Sequence, residues 1–199
     1  MPAPTRQRLI EAAAHRFYRD GFRNVGIDQV LADVGISKTA FYKHFESKDD
    51  LMLAVLDSKN KRLQEVLRDV AGDRCESTPK ELLGRLFDVV DQIIAADEFQ
   101  GCLFVNVAME FPLAHEPAHQ AAAAHKRAIE AIVRELAAQA GADDPDAMAQ
   151  ELCLIMEGAY VTRQVTGDPR TIAIARRVAD AVIGSRLSAG AAACEGVAD

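Results

Sequence analysis

The chain of 199 residues carries 49% hydrophobic and 27% charged side chains, a globular composition large enough to close a core without disulfide or metal support. No apolar run approaches the ~20 residues of a membrane span, and the start Met1-Pro2-Ala3-Pro4-Thr5-Arg6 has no signal-like segment, so a cytoplasmic protein with no membrane partner is expected. The net charge of −7 argues against a general polyanion binder, yet residues 1–48 hold eight Lys/Arg against five Asp/Glu while residues 49–199 hold fifteen against twenty-five. A basic head on an acidic body directs any nucleic acid to the first quarter of the chain. Cys75, Cys102, Cys153 and Cys194 show no paired spacing, which leaves reduced thiols as the expectation and gives no structural zinc site.

In chain order, caps, prolines and glycines punctuate helical periodicity and alternating strand patterns are absent, so the expected fold is all-α with about nine helices. The first spans 5–20, places Leu9, Ala13 and Phe17 on one face, and closes at Gly21. Short helices follow at 27–34 and 38–44, then a long one at 48–71 opened by Ser47 with Asp50. The fifth, 79–96, is opened by Thr78-Pro79 with Glu81 in capping-box position, and Leu82, Leu86, Val89, Val90 and Ile93 form its apolar face. The rest are expected at 101–111, 117–140, 145–166 and 169–184, the last two opened by Asp144-Pro145 and Asp168-Pro169. Gly35, Gly72, Gly141 and Gly167 mark helix ends, and residues 185–199, rich in small side chains, are expected to fray.

The second and third helices carry the chemistry. Ile27, Val30, Leu31 and Val34 share one face, Gly35 permits a sharp turn, Ile36 plugs the interhelical angle, and Ser37 can cap the next helix. That is a helix-turn-helix pattern. In the second of its helices Ala40, Phe41 and Phe45 can point inward, leaving Lys38, Thr39, Tyr42, Lys43 and His44 outward, with no acid between residues 34 and 45. A cationic, hydroxyl-bearing face suits a major groove; chance bias on a short surface helix is the plainer alternative.

Residues 5–51 resemble the DNA-binding domain of the tetracycline-repressor (TetR) family. The first helix is echoed by Thr5-Arg6-Gln7-Arg8-Leu9-Ile10-Glu11-Ala12-Ala13, Phe17 and Gly21-Phe22, and the recognition helix by the run Gly35 to Leu51. Gly26 stands where many relatives have Ser or Thr, and Leu31 where Ala is commoner. The resemblance implies phosphate contacts from Tyr42, His44 and Lys48, base reading by Lys38, Thr39 and Lys43, either role for Ser37, and backbone contacts from Thr5 and Arg6. It implies an N-terminal three-helix DNA-binding domain at 1–47 and a C-terminal helical ligand-binding and dimerisation domain at 48–199.

The long fourth helix, ~35 Å, leaves the head and enters the body, either as a mere connector or as a lever; the resemblance favours the lever. Met148, Leu152, Ile155 and Ala159 form one stripe, and Ile172, Ala175, Val178, Ala179 and Val182 another. Such stripes serve an intrachain core equally well, but the family pattern, in which the last two helices build a four-helix interface, makes Leu152, Ile155, Ala159 and the α-helical stripe from Ile172 to Val182 the expected homodimer contacts. The stretch Phe99 to Pro112 is aromatic-rich yet holds Asn106 and Glu110, and Tyr160, Arg163 and Gln164 follow Met156. Phe104, Asn106, Glu110, Met156, Tyr160 and Arg163 are therefore candidate small-molecule contacts; alternatively Asn106, Glu110 and Arg163 satisfy one another in the core. The Gly-Cys-Leu-Phe and Glu-Phe-Pro elements resemble a TetR subgroup without naming an effector.

His115-Glu116-Pro117-Ala118-His119 imitates a zinc-protease motif, but Pro117 interrupts the helix that must hold both imidazoles on one face. A zinc hydrolase is thus a remote alternative, and a regulatory metal on His115, His119 or His125 with Glu110 a less remote one. No phosphate loop, nucleophile elbow or dinucleotide fingerprint is present, so neither an enzyme nor a cofactor is expected. A non-specific architectural DNA protein is a third class, opposed by the acidic body. The resulting expectation is a ligand-responsive, dimeric repressor of a palindromic operator.

Overall fold

Helices account for the regular structure of residues 3–72 and 78–187, which the computed structural model describes; among them there are nine helices and no strand. They are α1 (Thr5–Asp20), α2 (Ile27–Val34), α3 (Lys38–Phe41), α4 (Lys48–Gly72), α5 (Pro79–Ile94), α6 (Leu103–Glu110), α7 (Pro117–Gln139), α8 (Pro145–Thr166) and α9 (Thr171–Arg186). Local chemistry explains most boundaries. Thr78 Oγ1 accepts from the Glu81 amide at 3.3 Å while Glu81 accepts from the Thr78 amide at 2.7 Å, and Asp144 accepts from the Ala147 amide at 3.0 Å. The last helix begins two residues later than Asp168-Pro169 predicts, because the Asp168 carboxylate turns to the Arg170 amide (2.9 Å) and guanidinium (2.8 Å) instead of capping a helix at Pro169. Cys75 and Cys194 lie outside the described residues, as do residues 188–199 of the expected frayed tail; Cys102 and Cys153 are free thiols, half-buried.

The chain divides into two compact units. The first comprises residues 1–63 and 102–126, the second 64–101 and 127–199. This division differs from a boundary at residue 47, and the reason is hydrophobic: Leu51, Met52, Val55 and Leu56 of α4 are buried in the same core as Phe41 and Phe45, together with Phe104 and Val107 of α6 and Ala118 and Ala122 of α7. In the first unit Phe17 stacks on Phe22 at 5.0 Å and Phe41 meets Phe45 at 5.8 Å. Arg8 donates to the Val34 carbonyl at 2.7 Å, satisfying a C-terminal acceptor of α2, and Arg16 grips Asp33 through bonds of 2.6 and 2.7 Å.

In the second unit α5, α8 and α9 pack pairwise. Leu83, Leu86, Phe87 and Val90 of α5 are buried, as are Met148, Ala149, Leu152, Met156 and Ala159 of α8 and Ala175, Ala179 and Ile183 of α9. Gly101 ends the α5–α6 connection at φ +88°, and a Cβ there would overlap the Gln164 amide, whose Nε2 donates to the Gln100 carbonyl at 2.9 Å. Only glycine meets both demands. No helix among the described residues is long and apolar enough to cross a membrane.

Candidate nucleic-acid interface

Sequence dictates the shape of the α2–α3 corner. Gly26 opens α2 with its amide donating to Gln29 Oε1 at 2.7 Å, so the glutamine compensates for a cap residue without a side chain. Gly35 takes the left-handed conformation at φ +71°, closing α2 through a 2.8 Å bond to the Leu31 carbonyl and redirecting the chain. Ser37 Oγ then accepts from the Ala40 amide at 3.2 Å. The regular part of α3 is shorter than 38–44: it ends at Phe41, and residues 42–44 continue as turns through bonds such as His44 N–H to the Phe41 carbonyl at 2.8 Å. Phe41 and Phe45 are buried, which anchors the segment and forces the intervening side chains outward.

Ser37, Lys38, Thr39, Tyr42, Lys43 and His44 are all exposed, Tyr42 at 55%. The two contacts expected from α1 lie differently: Arg6 is exposed with its guanidinium 4.9 Å over the Phe45 ring, while Thr5 is half-buried at the start of the helix. The half-buried Lys48 donates to the Arg23 carbonyl at 3.3 Å, so its ammonium is already aimed along the turn between α1 and α2. Lys38 is held by Asp28, at 2.9 Å from one carboxylate oxygen and 3.1 Å from the other. Sequence reading missed Asp28: an acid in the first turn of a helix reads as ordinary dipole compensation, and a ten-residue separation carries no periodic signal.

Of the expected small-molecule contacts, Phe104, Asn106 and Glu110 belong to the first unit and Met156, Tyr160 and Arg163 to the second. Glu110 has a strong engagement of its own. Its two oxygens accept from the Phe22 amide at 3.0 Å and the Arg23 amide at 2.8 Å, and Arg23 Nε donates back to the Glu110 carbonyl at 2.8 Å. The Arg23 guanidinium lies 4.7 Å over the Phe111 ring. Phe104 is buried and stacks on His125 at 3.5 Å; His125 Nδ1 meets Asn60 Oδ1 at 2.7 Å. Burial, helped by the nearby Lys126 charge, pushes the His125 imidazole down to about 4. Asn106 is half-buried and engaged. Met156 is buried, Tyr160 faces Phe99 with centroids 6.2 Å apart, and Arg163 donates to the Gly167 carbonyl at the end of α8. Glu110 and Arg163 are thus each satisfied by backbone groups near in their own unit.

Of the stripes expected to meet a second copy, half the side chains are already covered within the single chain. Leu152, Ala159, Ala175 and Ala179 are buried within the single chain, Ile155, Ile172 and Val182 are half-buried, and Val178 is exposed. The buried four belong to the core of the chain, because α5 packs against both helices. The exposed apolar side chains are Leu154 (75%), Val161 and Val165 (78%) on α8 with Ile174 and Val178 on α9. At 100° per residue, Leu154, Gly158, Val161 and Val165 fall on one face of α8, roughly opposite the buried one.

The zinc-protease imitation dissolves as Pro117 implies. Pro117 opens α7, His115 lies exposed before it, Glu116 accepts from the Leu113 amide at 3.0 Å, and His119 Nδ1 lies 2.9 Å from the Phe111 carbonyl. No group of three metal-binding side chains occurs among the described residues.

Two family models match the chain: "Bacterial regulatory proteins, tetR family" over residues 9–55 and "Tetracyclin repressor-like, C-terminal domain" over residues 79–179. The regulator YerO of Bacillus subtilis is 32% identical over 42% of this chain, a stretch spanning 30% of YerO. The transcriptional repressor DhaR of a Mycobacterium species is 31% identical over 54% of this chain and 52% of its own length. The regulator YjdC of Escherichia coli is 21% identical over 89% of this chain and 93% of its own. Among solved structures, a TetR-family transcriptional regulator from Streptomyces coelicolor superposes with a TM-score of 0.85 at 28% identity, covering 92% of this chain and 96% of the other. A TetR transcriptional regulator from Streptomyces avermitilis gives 0.74 at 31% identity, covering 90% and 98%.

Proposed function

The chain belongs to the tetracycline-repressor family, and from that membership we propose a homodimeric regulator that binds a palindromic operator and releases it when a small molecule binds. The observation that carries this reading is the outward set Lys38, Thr39, Tyr42, Lys43 and His44 on a segment pinned from beneath by Phe41 and Phe45. Lys38, Thr39 and Lys43 read base edges. Tyr42, His44, Lys48, Arg6 and Thr5 hold phosphates, and Ser37 contributes at the start of α3.

One such head reads too few base pairs, and a two-fold axis supplies the second. The exposed side chains Leu154, Val161, Val165, Ile174 and Val178 support a contact between α8 and α9 of two copies, with Val178 retained from the stripes expected from sequence. Repression, rather than activation, takes its support from the relative named a repressor. A ligand favouring one arrangement of the heads lowers operator affinity by its differential affinity for the two. Glu110 supports a route for this within the first unit: the end of α6 grips the amides of Phe22 and Arg23 beside the turn that leads into α2. Glu110 then acts as a positioning residue, and Phe104 and Asn106 of the same unit remain proposed effector contacts.

Selection of bound sequences from a random duplex pool tests the reading. A palindrome is expected; Lys48→Ala should weaken its binding at every sequence and lower the salt slope by about 1, whereas Tyr42→Ala, which removes no charge, should weaken binding at every sequence with the slope unchanged. An unselective pool would refute operator recognition; an unchanged slope in Lys48→Ala, or an unchanged affinity in Tyr42→Ala, would remove that residue from the phosphate contacts.

A further inference from the structure

Asp28 is out of place on a surface built for phosphates. Its side chain is 76% exposed, on α2, and its carboxylate holds the ammonium of Lys38, the first residue of α3 and itself 58% exposed along its side chain, through both oxygens at 2.9 and 3.1 Å. An ion pair this open adds little to folding. A carboxylate brought near the DNA backbone is repelled by it, and Lys38 in its present pairing has part of its charge already answered. The pair is therefore poorly suited to grasping phosphate.

It is well suited to a base pair. In the major groove the acceptor edge of guanine, N7 with O6, lies beside the N4 amino donor of its cytosine partner. An ammonium next to a carboxylate is the complement of that array: the ammonium donates to N7 and O6 while the carboxylate accepts from N4–H. Adenine fits less well, because its N6 amino group sits where the ammonium seeks a second acceptor. The tether to Asp28 also restrains the flexible lysine stem before binding, reducing the ordering cost on docking.

We propose that Asp28 and Lys38 act as one specificity-determining unit that reads a guanine–cytosine pair in each operator half-site. This rests on the reading that α3 enters the major groove. The test is selection from a random duplex pool by the full-length protein, by Asp28→Asn, by Asp28→Ala and by Lys38→Ala, followed by affinities for single-base-pair variants of the selected site. The wild type should require one guanine–cytosine pair per half-site, with replacement by adenine–thymine weakening binding roughly 5- to 150-fold. All three variants should lose that preference at that pair and keep the others, with thermal midpoints unchanged. Affinity rising equally for every sequence in Asp28→Ala would show mere repulsion and overturn the proposal, as would a preference untouched by the substitutions or an adenine–thymine pair at the dependent position. In those cases the palindrome survives; absence of any selected sequence from the wild type would bring down the operator reading itself.

Discussion

The α2–α3 corner and the α8–α9 pair present opposite problems to anyone reading sequence. In the corner, two short helices offer one apolar face apiece, so the inward side chains Val30, Leu31, Val34, Phe41 and Phe45 identify the outward ones by elimination. Helix α8 has 22 residues and apolar side chains on two nearly opposite faces: Met148, Leu152, Met156 and Ala159 are buried, and Leu154, Val161 and Val165 are exposed. Periodicity reveals both stripes but not which one a neighbouring helix covers. The difference teaches that a helix is legible from sequence when it has a single hydrophobic face, and ambiguous when it has two.

Charge on the outward stripe tests this contrast most severely. Leu154→Asp combined with Val165→Asp should convert a dimer to monomers in sedimentation and lower operator affinity roughly 10²- to 10⁴-fold, since linked heads gain that much from effective concentration. A dimer that persists would move the interface elsewhere. Leu152→Ala should cost about 2–5 kcal/mol in chemical denaturation because it opens a void in the core of one chain. Val161→Ala, on the same exposed face and measured in that monomeric background, should stay within about 0.5 kcal/mol. Equal effects would erase the distinction between the faces.

Acid separates the two compact units. All five histidines, at 15, 44, 115, 119 and 125, fall in the first unit, and His125 is buried there. Its folded value is depressed from 6.5 to about 4, so the unfolded chain binds a proton that the folded one refuses. Stability is complete above the unfolded value and falls as pH drops from 6.5 to 4, by on the order of 3 kcal/mol at about 1.4 kcal/mol per unit. His125→Gln should flatten that slope in urea titrations followed across the range, and a slope identical to wild type would show that the imidazole takes up its proton as readily in the folded chain as in the unfolded one.

Several site features were legible in the sequence because they depend on residues close in the chain. Gly35, Ser37 and the spacing of Phe41 from Phe45 are enough to place Lys38, Thr39, Tyr42, Lys43 and His44 on a surface. The proline in His115-Glu116-Pro117-Ala118-His119 likewise excluded a continuous metal-binding helix. Glu110 and His125 were not legible in this way: the first finds the Phe22 and Arg23 amides 88 and 87 residues away, and the second finds Asn60 at a separation of 65. No local pattern encodes such pairings.

Composition, caps and periodicity were sufficient for the nine helices found among the described residues, for the corner between the second and third, and for the cationic segment that follows. Folding in three dimensions settled the inward face of α8 and α9, the assignment of early α4 to the head's core, and the partners of Asp28, Glu110 and His125. The physical reason is range: a cap or a turn is satisfied within about four residues, whereas burial and long-distance hydrogen bonds depend on which surfaces the whole chain brings together.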